Sequence, residues 1–241
     1  MGPPELHAAD EGRLDPALRR LRGGDLPDQL LPLSRLARFT GAALAAVVLT
    51  AGAAPVFPSA AQGPAPDPAK VEAGRAKSRP CAPCHGPDGN AKIPGTPSLA
   101  GQPTMFTHWQ LIKYRDGRRK DAQMTPFAAK LSDEDMADLA AFYAAQKPVR
   151  RPAQLDPAKV AEGEKASVHY QCTSCHRVGF VGHEQIPRLA GQDLAYLRRL
   201  IRGFKEKTAS DLDGTMTMAA VPLREEDIEL LAQYAASLGD P

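Results

Sequence analysis

Aromatic residues are scarce in this chain: one Trp, five Tyr and seven Phe make up 5% of its 241 residues. So few rings exclude a core built on stacked aromatics, and any small domain here needs other apolar bulk to bury. A dominant charge is also missing, since 30 Lys and Arg face 28 Asp and Glu and leave a net charge of +2. With no long basic run interleaved with aromatics, that balance excludes nucleic acid as a partner. The apolar segment Phe39–Ala54 stops short of the ~20 residues that a membrane-spanning helix needs. No segment shows the alternation of a strand. Cysteine is rare but ordered: Cys81, Cys84, Cys172 and Cys175 form two Cys-x-x-Cys pairs with none left over.

Near the N-terminus, Arg35 and Arg38 precede the run 39–54, and Pro55, Pro58 and Ser59-Ala60-Ala61 follow it. This is the order of a secretory signal, with cleavage expected after Ala61 and a periplasmic destination. Residues 1–61 therefore read as a leader, of which 1–32 are a Pro/Gly/Arg-rich prelude without an apolar face. Membrane association is expected only if the apolar segment is retained as an anchor.

An internal repeat organises the remainder. Asp67-Pro68-Ala69-Lys70-Val71 returns as Asp156-Pro157-Ala158-Lys159-Val160, and Pro97-Ser98-Leu99-Ala100-Gly101-Gln102 as Pro187-Arg188-Leu189-Ala190-Gly191-Gln192. Leu131-Ser132-Asp133-Glu134-Asp135 answers to Leu223-Arg224-Glu225-Glu226-Asp227. Two domains are expected, 64–147 and 153–239, joined by the Pro-rich linker 147–152. Each reads as helical. Asp67 and Asp156 are placed to N-cap a first helix with Pro at its first position. Leu194, Leu197, Ile201 and Phe204 write a middle helix, less cleanly matched by Met105, Trp109, Ile112 and Lys113. Ser132 and Asp135 open a last helix as a capping-box pair, with Met136, Leu139, Ala140 and Tyr143 on one face.

The chemistry lies in Cys81-Ala82-Pro83-Cys84-His85 and Cys172-Thr173-Ser174-Cys175-His176. Cysteines three apart suit thioether attachment to the two vinyl groups of one porphyrin, and the following His offers a ring nitrogen to iron. Two covalently bound haem c groups are the implied cofactors. Zinc and dithiol readings fit poorly, because 87 residues separate Cys84 from Cys172 and no strand precedes either pair. For the second axial position, Met124 and Met216 each stand seven residues before the repeated Leu131 and Leu223. Both are expected in irregular segments before the last helix, whereas Met105 and Met136 read as core. Met218 is a rival at the second site. His108, His169 and His183 share no repeat position and are not expected to ligate. Pro97 and Pro187 follow their histidines by 12 and 11 residues, where a carbonyl would accept the ring N–H.

On these residues the chain, over about 64–239, resembles the class I cytochromes c, specifically the di-haem cytochrome c4 type. The resemblance implies an all-α architecture of two tandem class I domains related by a pseudo-twofold axis, with haem propionate edges close across the interface. It implies His/Met ligation of both irons. It also implies electron delivery toward a terminal oxidase or another periplasmic acceptor. The reading is an electron carrier rather than an enzyme, with a quinol-cytochrome c reductase or a dehydrogenase as donor. The alternatives are a haem subunit of a periplasmic dehydrogenase and, further off, a di-haem peroxidase. The halves are electrically unlike: 14 basic against 9 acidic residues in 62–152, and 10 against 13 in 153–241. Arg115, Arg118, Arg119 and Lys120 gather much of the positive charge, either as a docking patch or to neutralise propionates.

Overall fold

Asp67 accepts from the Ala69 N–H at 2.9 Å and starts helix α1 (Pro68–Lys77). Asp156 does the same from Ala158, at 2.9 Å, for α6 (Pro157–His169). Pro at the first position of each costs nothing there, since that N–H would have no helical partner. The structure is a computed structural model in which residues 65–239 are described. The leader expected over residues 1–61 lies outside them. Between these two starts come the single turn α2 (Ala82–His85), α3 (Thr104–Arg115), α4 (Met124–Ala128) and α5 (Asp133–Ala144). After α6 come α7 (Cys172–His176), α8 (Leu194–Lys205), α9 (Thr215–Ala220) and α10 (Glu225–Ser237). Among the described residues the only β-pairing is an isolated bridge between His183 and Ile186.

The helical scaffold of each half rests on one close crossing. Alpha1 packs on α5, and α6 on α10, with a glycine at each contact. A Cβ on Gly74 would stand 2.1 Å from the Asp138 carbonyl oxygen, and one on Gly163 would stand 2.1 Å from that of Leu230. Only glycine permits this approach. The core of the first half joins Leu139, Phe142 and Tyr143 of α5, and the Phe142 and Tyr143 rings meet edge to face at 5.1 Å. The second half buries Leu197 against Ala232, Ala235 and Ala236, and Ile228 with Leu231 against Leu223. Capping follows the expected pattern at α5, where Ser132 and Asp135 form a reciprocal capping box. At α10 the equivalent Asp227 is buried, accepting from Arg224 and from the Tyr170 hydroxyl at 2.7 Å.

Two sequence expectations need correction. Met105 is not core but surface, and burial along α3 falls on Thr107, Lys113 and Tyr114. The reason is tertiary, since this helix meets the second half and Lys113 donates across to the Ser210 carbonyl. Met124 and Met216 are not in irregular segments, because α4 and α9 are short helices that contain them. Met136 is fully buried, as expected.

The linker is also more than a spacer. Asn90 accepts from the Val149 N–H at 2.9 Å and donates to the Lys147 carbonyl at 3.0 Å. Further on, the Arg151 N–H bonds the Gly191 carbonyl at 2.9 Å while its guanidinium reaches the carbonyls of Ala91 and Ile93 and the Asp193 carboxylate. One nearly buried arginine thus ties both halves together.

Two predictions follow from packing and charge. Gly74→Ala or Gly163→Ala forces a helix pair apart against backbone, so each lowers stability by about 1–3 kcal/mol, read as a lower denaturation midpoint. Asp135 is drawn down from 3.8 to about 2, first by Lys77 and then by its bonds from Ser132. A depressed carboxylate contributes stability that is present above its unfolded pKa and lost as pH falls through its folded one. Thermal midpoints should therefore fall between about pH 4 and 2, and Asp135→Asn should lower the midpoint at neutral pH while flattening that acid slope.

Candidate functional site

Each Cys-x-x-Cys-His run forms a tight turn at the end of the first helix of its half. In the first, a 3-10 turn over Arg79–Cys81 leads into α2, and Gly86 at φ +81° ends it with its N–H on the Ala82 carbonyl at 2.9 Å. In the second, α7 ends at Arg177, whose φ is +64°. Gly89 at φ +80° has its counterpart in Phe180 at φ +54°. The carbonyls of Gly89 and Phe180 do the same work. Gly89 accepts from Leu99 and Ala100 at 2.7 and 3.1 Å, and Phe180 accepts from Leu189 and Ala190 at 2.9 and 3.2 Å. These bonds hold the Pro97 and Pro187 segments opposite the turns.

The consequence is a matched pair of histidines. His85 is 5% exposed and its Nδ1 lies 2.9 Å from the Pro97 carbonyl, while His176 is 7% exposed with Nδ1 3.0 Å from the Pro187 carbonyl. A carbonyl only accepts, so Nδ1 carries the proton and Nε2 keeps its lone pair. Burial pushes both imidazoles below their ordinary pKa and so favours the neutral, ligating form. All four thiols are free, and burial raises Cys81 and Cys172. The buried Tyr143 hydroxyl packs beside the Cys81 thiol in the wall of the site. Among the described residues no group of three or more His, Cys, Asp or Glu gathers as a metal cluster. The thiol pairs and oriented imidazoles instead fit a c-type haem in each half.

An aspartate positions each methionine segment, a feature that sequence reasoning missed. Asp121 accepts from the Gln123 and Met124 N–H groups, both at 2.9 Å, and Asp211 accepts from Met216 and, at 3.2 Å, from Thr217. Met216 packs against the cluster of Ala220, Leu223, Ile228 and Leu231, whereas Met218 is 74% exposed. The signal was legible as an aspartate three residues before Met124 and five before Met216.

The basic group of the first half does not form one patch. Arg115 pairs with Asp133 at 2.6 Å and Arg118 with Asp116 at 3.1 Å. Arg119 lies over the Tyr114 ring and reaches Gln110 and, across the halves, the Tyr196 hydroxyl. Lys120 is exposed.

Comparison with known proteins agrees with this geometry. The profile of the family described as cytochrome C oxidase, cbb3-type, subunit III matches residues 70–142, and that of cytochrome c matches 160–239. Cytochrome c4 of Pseudomonas aeruginosa is 35% identical over 177 residues, covering 69% of this chain and 87% of its own. The chain belongs to the cytochrome c4 family. The crystal structure of reduced recombinant cytochrome c4 from Pseudomonas stutzeri superposes with a TM-score of 0.65 at 34% identity, over 70% of this chain and 98% of that one. A thiosulfate dehydrogenase electron acceptor of Thiomonas intermedia is 33% identical over 181 residues, covering 70% of this chain and 83% of its own. As a cytochrome c4-type protein the chain is a di-haem electron carrier, not an enzyme, with two cytochrome c domains and covalently bound haem c.

Because each haem supplies apolar bulk that the side chains around it lack, loss of attachment has a structural cost. Replacing Cys172 and Cys175 together by Ala is expected to halve the covalent haem content and to loosen the second domain, as measured by haem stain and circular dichroism. Two covalent haems in that variant would contradict this arrangement.

Proposed function

We propose that Cys81 and Cys84 would hold one haem and Cys172 and Cys175 the other, with His85 and Met124 as the protein ligands of the first iron and His176 and Met216 as those of the second. The observation that carries this reading is the bond from each buried His ring N–H to a proline carbonyl, repeated in both halves. It directs both Nε2 atoms to iron in the right tautomer. Met216 rather than Met218 suits the second site, since its neighbours are the core cluster and Met218 faces outward. Each bound haem supplies a one-electron ferric/ferrous couple. The chain would supply the donors, and it buries and orients the two histidines.

The domains proposed are 64–147 and 153–239, after a leader removed beyond Ala61, and the working place is the periplasm. Among the described residues no helix is long and apolar enough to cross a membrane. We propose that the protein takes electrons from a dehydrogenase or a quinol-cytochrome c reductase and passes them to a terminal oxidase or another periplasmic acceptor. A dehydrogenase donor gains weight from the relative named as a thiosulfate dehydrogenase electron acceptor. Reduction of the purified protein by such a dehydrogenase, followed in the visible spectrum, tests the donor.

The sulfur ligands have a direct test. Met124→His and Met216→His should each lower the potential of one haem and abolish its sulfur-to-iron charge-transfer absorption. Met218→His should change neither. If Met218→His removes the band of the second haem, the assignment to Met216 is wrong.

A further inference from the structure

The two copies of the Pro-x-Leu-Ala-Gly-Gln motif meet each other across the domain boundary. Gln192 accepts at Oε1 from the Ser98 N–H at 2.7 Å and donates from Nε2 to the Ser98 carbonyl at 2.9 Å. Gln102 reciprocates, accepting from the Arg188 N–H at 3.0 Å and donating to the Arg188 carbonyl at 2.8 Å. Both glutamines and Ser98 are buried. The Ser98 N–H and the Pro97 carbonyl belong to one peptide group, and that carbonyl is the acceptor for His85. Likewise the Arg188 N–H and the Pro187 carbonyl are two ends of the peptide that orients His176.

We propose that Gln102 and Gln192 are positioning residues that tune the iron-binding histidine of the opposite domain through the peptide group lying between them. This inference rests on His85 and His176 being the iron ligands. An acceptor on a peptide N–H draws charge onto the carbonyl oxygen of the same group, and hydrogen bonds in such a chain strengthen one another by about 10–30%. A stronger acceptor on Nδ1–H makes the ring a better electron donor at Nε2, which favours the ferric state. Docking alone would not require the glutamine oxygens to sit on these particular peptides. The two relays differ in one respect: Gln192 Oε1 also accepts from Asp193 N–H at 3.0 Å, while Pro103, after Gln102, has no N–H to offer.

The test uses the full di-haem protein and reads both reduction potentials, assigned to each haem by its paramagnetically shifted NMR signals. Gln192→Leu is expected to raise the potential of the first-domain haem and leave the second in place, and Gln102→Leu to do the reverse. Exchange of the opposite histidine's ring N–H should quicken in each. Gln192→Glu keeps an oxygen for the Ser98 N–H and loses the amide donor, so it should hold the first haem at or below its original potential. A shift confined to the mutated residue's own domain, equal movement of both haems, or no movement would overturn the proposal. Small-angle scattering shows whether a Leu variant opens the interface. Where it does, Gln192→Glu decides, and a raised first-haem potential there overturns the relay. Ligation is checked separately in the unaltered protein. If its sulfur-to-iron absorption and shifted His signals are absent, the ligand assignment has failed rather than the relay.

Discussion

A buried imidazole cannot be left to choose its own tautomer, and in this protein a single hydrogen bond to a proline carbonyl makes the choice in each half. Much of the surrounding loop structure serves that bond. The turn after each histidine reverses through a left-handed residue, and a second left-handed residue presents the carbonyl that draws the proline segment back over the ring. In the first half both positions are glycine, Gly86 and Gly89, for which that backbone carries no penalty. In the second half Arg177 and Phe180 take the same conformations. Each such non-glycine residue costs on the order of 1 kcal/mol, tolerated because Phe180 is buried against His176 and Tyr234.

The helical frame around these loops is stiff where it must be. Gly74 and Gly163 let first and last helices of each half approach to backbone contact, which fixes the helix that carries each cysteine turn against the helix that forms the back of the core. Asp121 and Asp211 hold the methionine segments, the first accepting from the N–H groups of Gln123 and Met124 and the second from those of Met216 and Thr217. The buried histidines and the methionine segments are therefore held by different devices, one a carbonyl and the other a carboxylate.

The boundary between the halves is polar and specific rather than greasy. Glutamine amides, the Arg151 guanidinium, Asp193 and the Arg119–Tyr196 contact carry it, and the Phe106 N–H bonds the Glu184 carbonyl at 2.9 Å. Buried groups of this kind must find their partners in one geometry or go unsatisfied, so they fix the orientation of two domains more sharply than apolar contact would. The basic residues of the first half are partly consumed in this boundary and in local ion pairs.

The sequence by itself determined the cofactor chemistry, the two-domain helical architecture and the bond from each motif histidine to a proline carbonyl, because these depend on short-range spacing and on a repeat that preserves it. Helix starts at Asp67, Asp156 and Ser132 were equally legible, since an N-cap acts over three residues. What only the tertiary structure decided was everything that depends on the two repeats facing each other. Gln102 and Gln192 stand in plain view in the repeated motif, yet their roles appear only when each reaches the other's peptide. The burial of Lys113 and exposure of Met105 follow from the same meeting, because a helix's buried face is set by what packs on it and not by its own periodicity. That Met216 packs on the core while Met218 is exposed likewise depends on how α9 is placed, and a difference of two positions in a chain does not reveal that until the helix is placed.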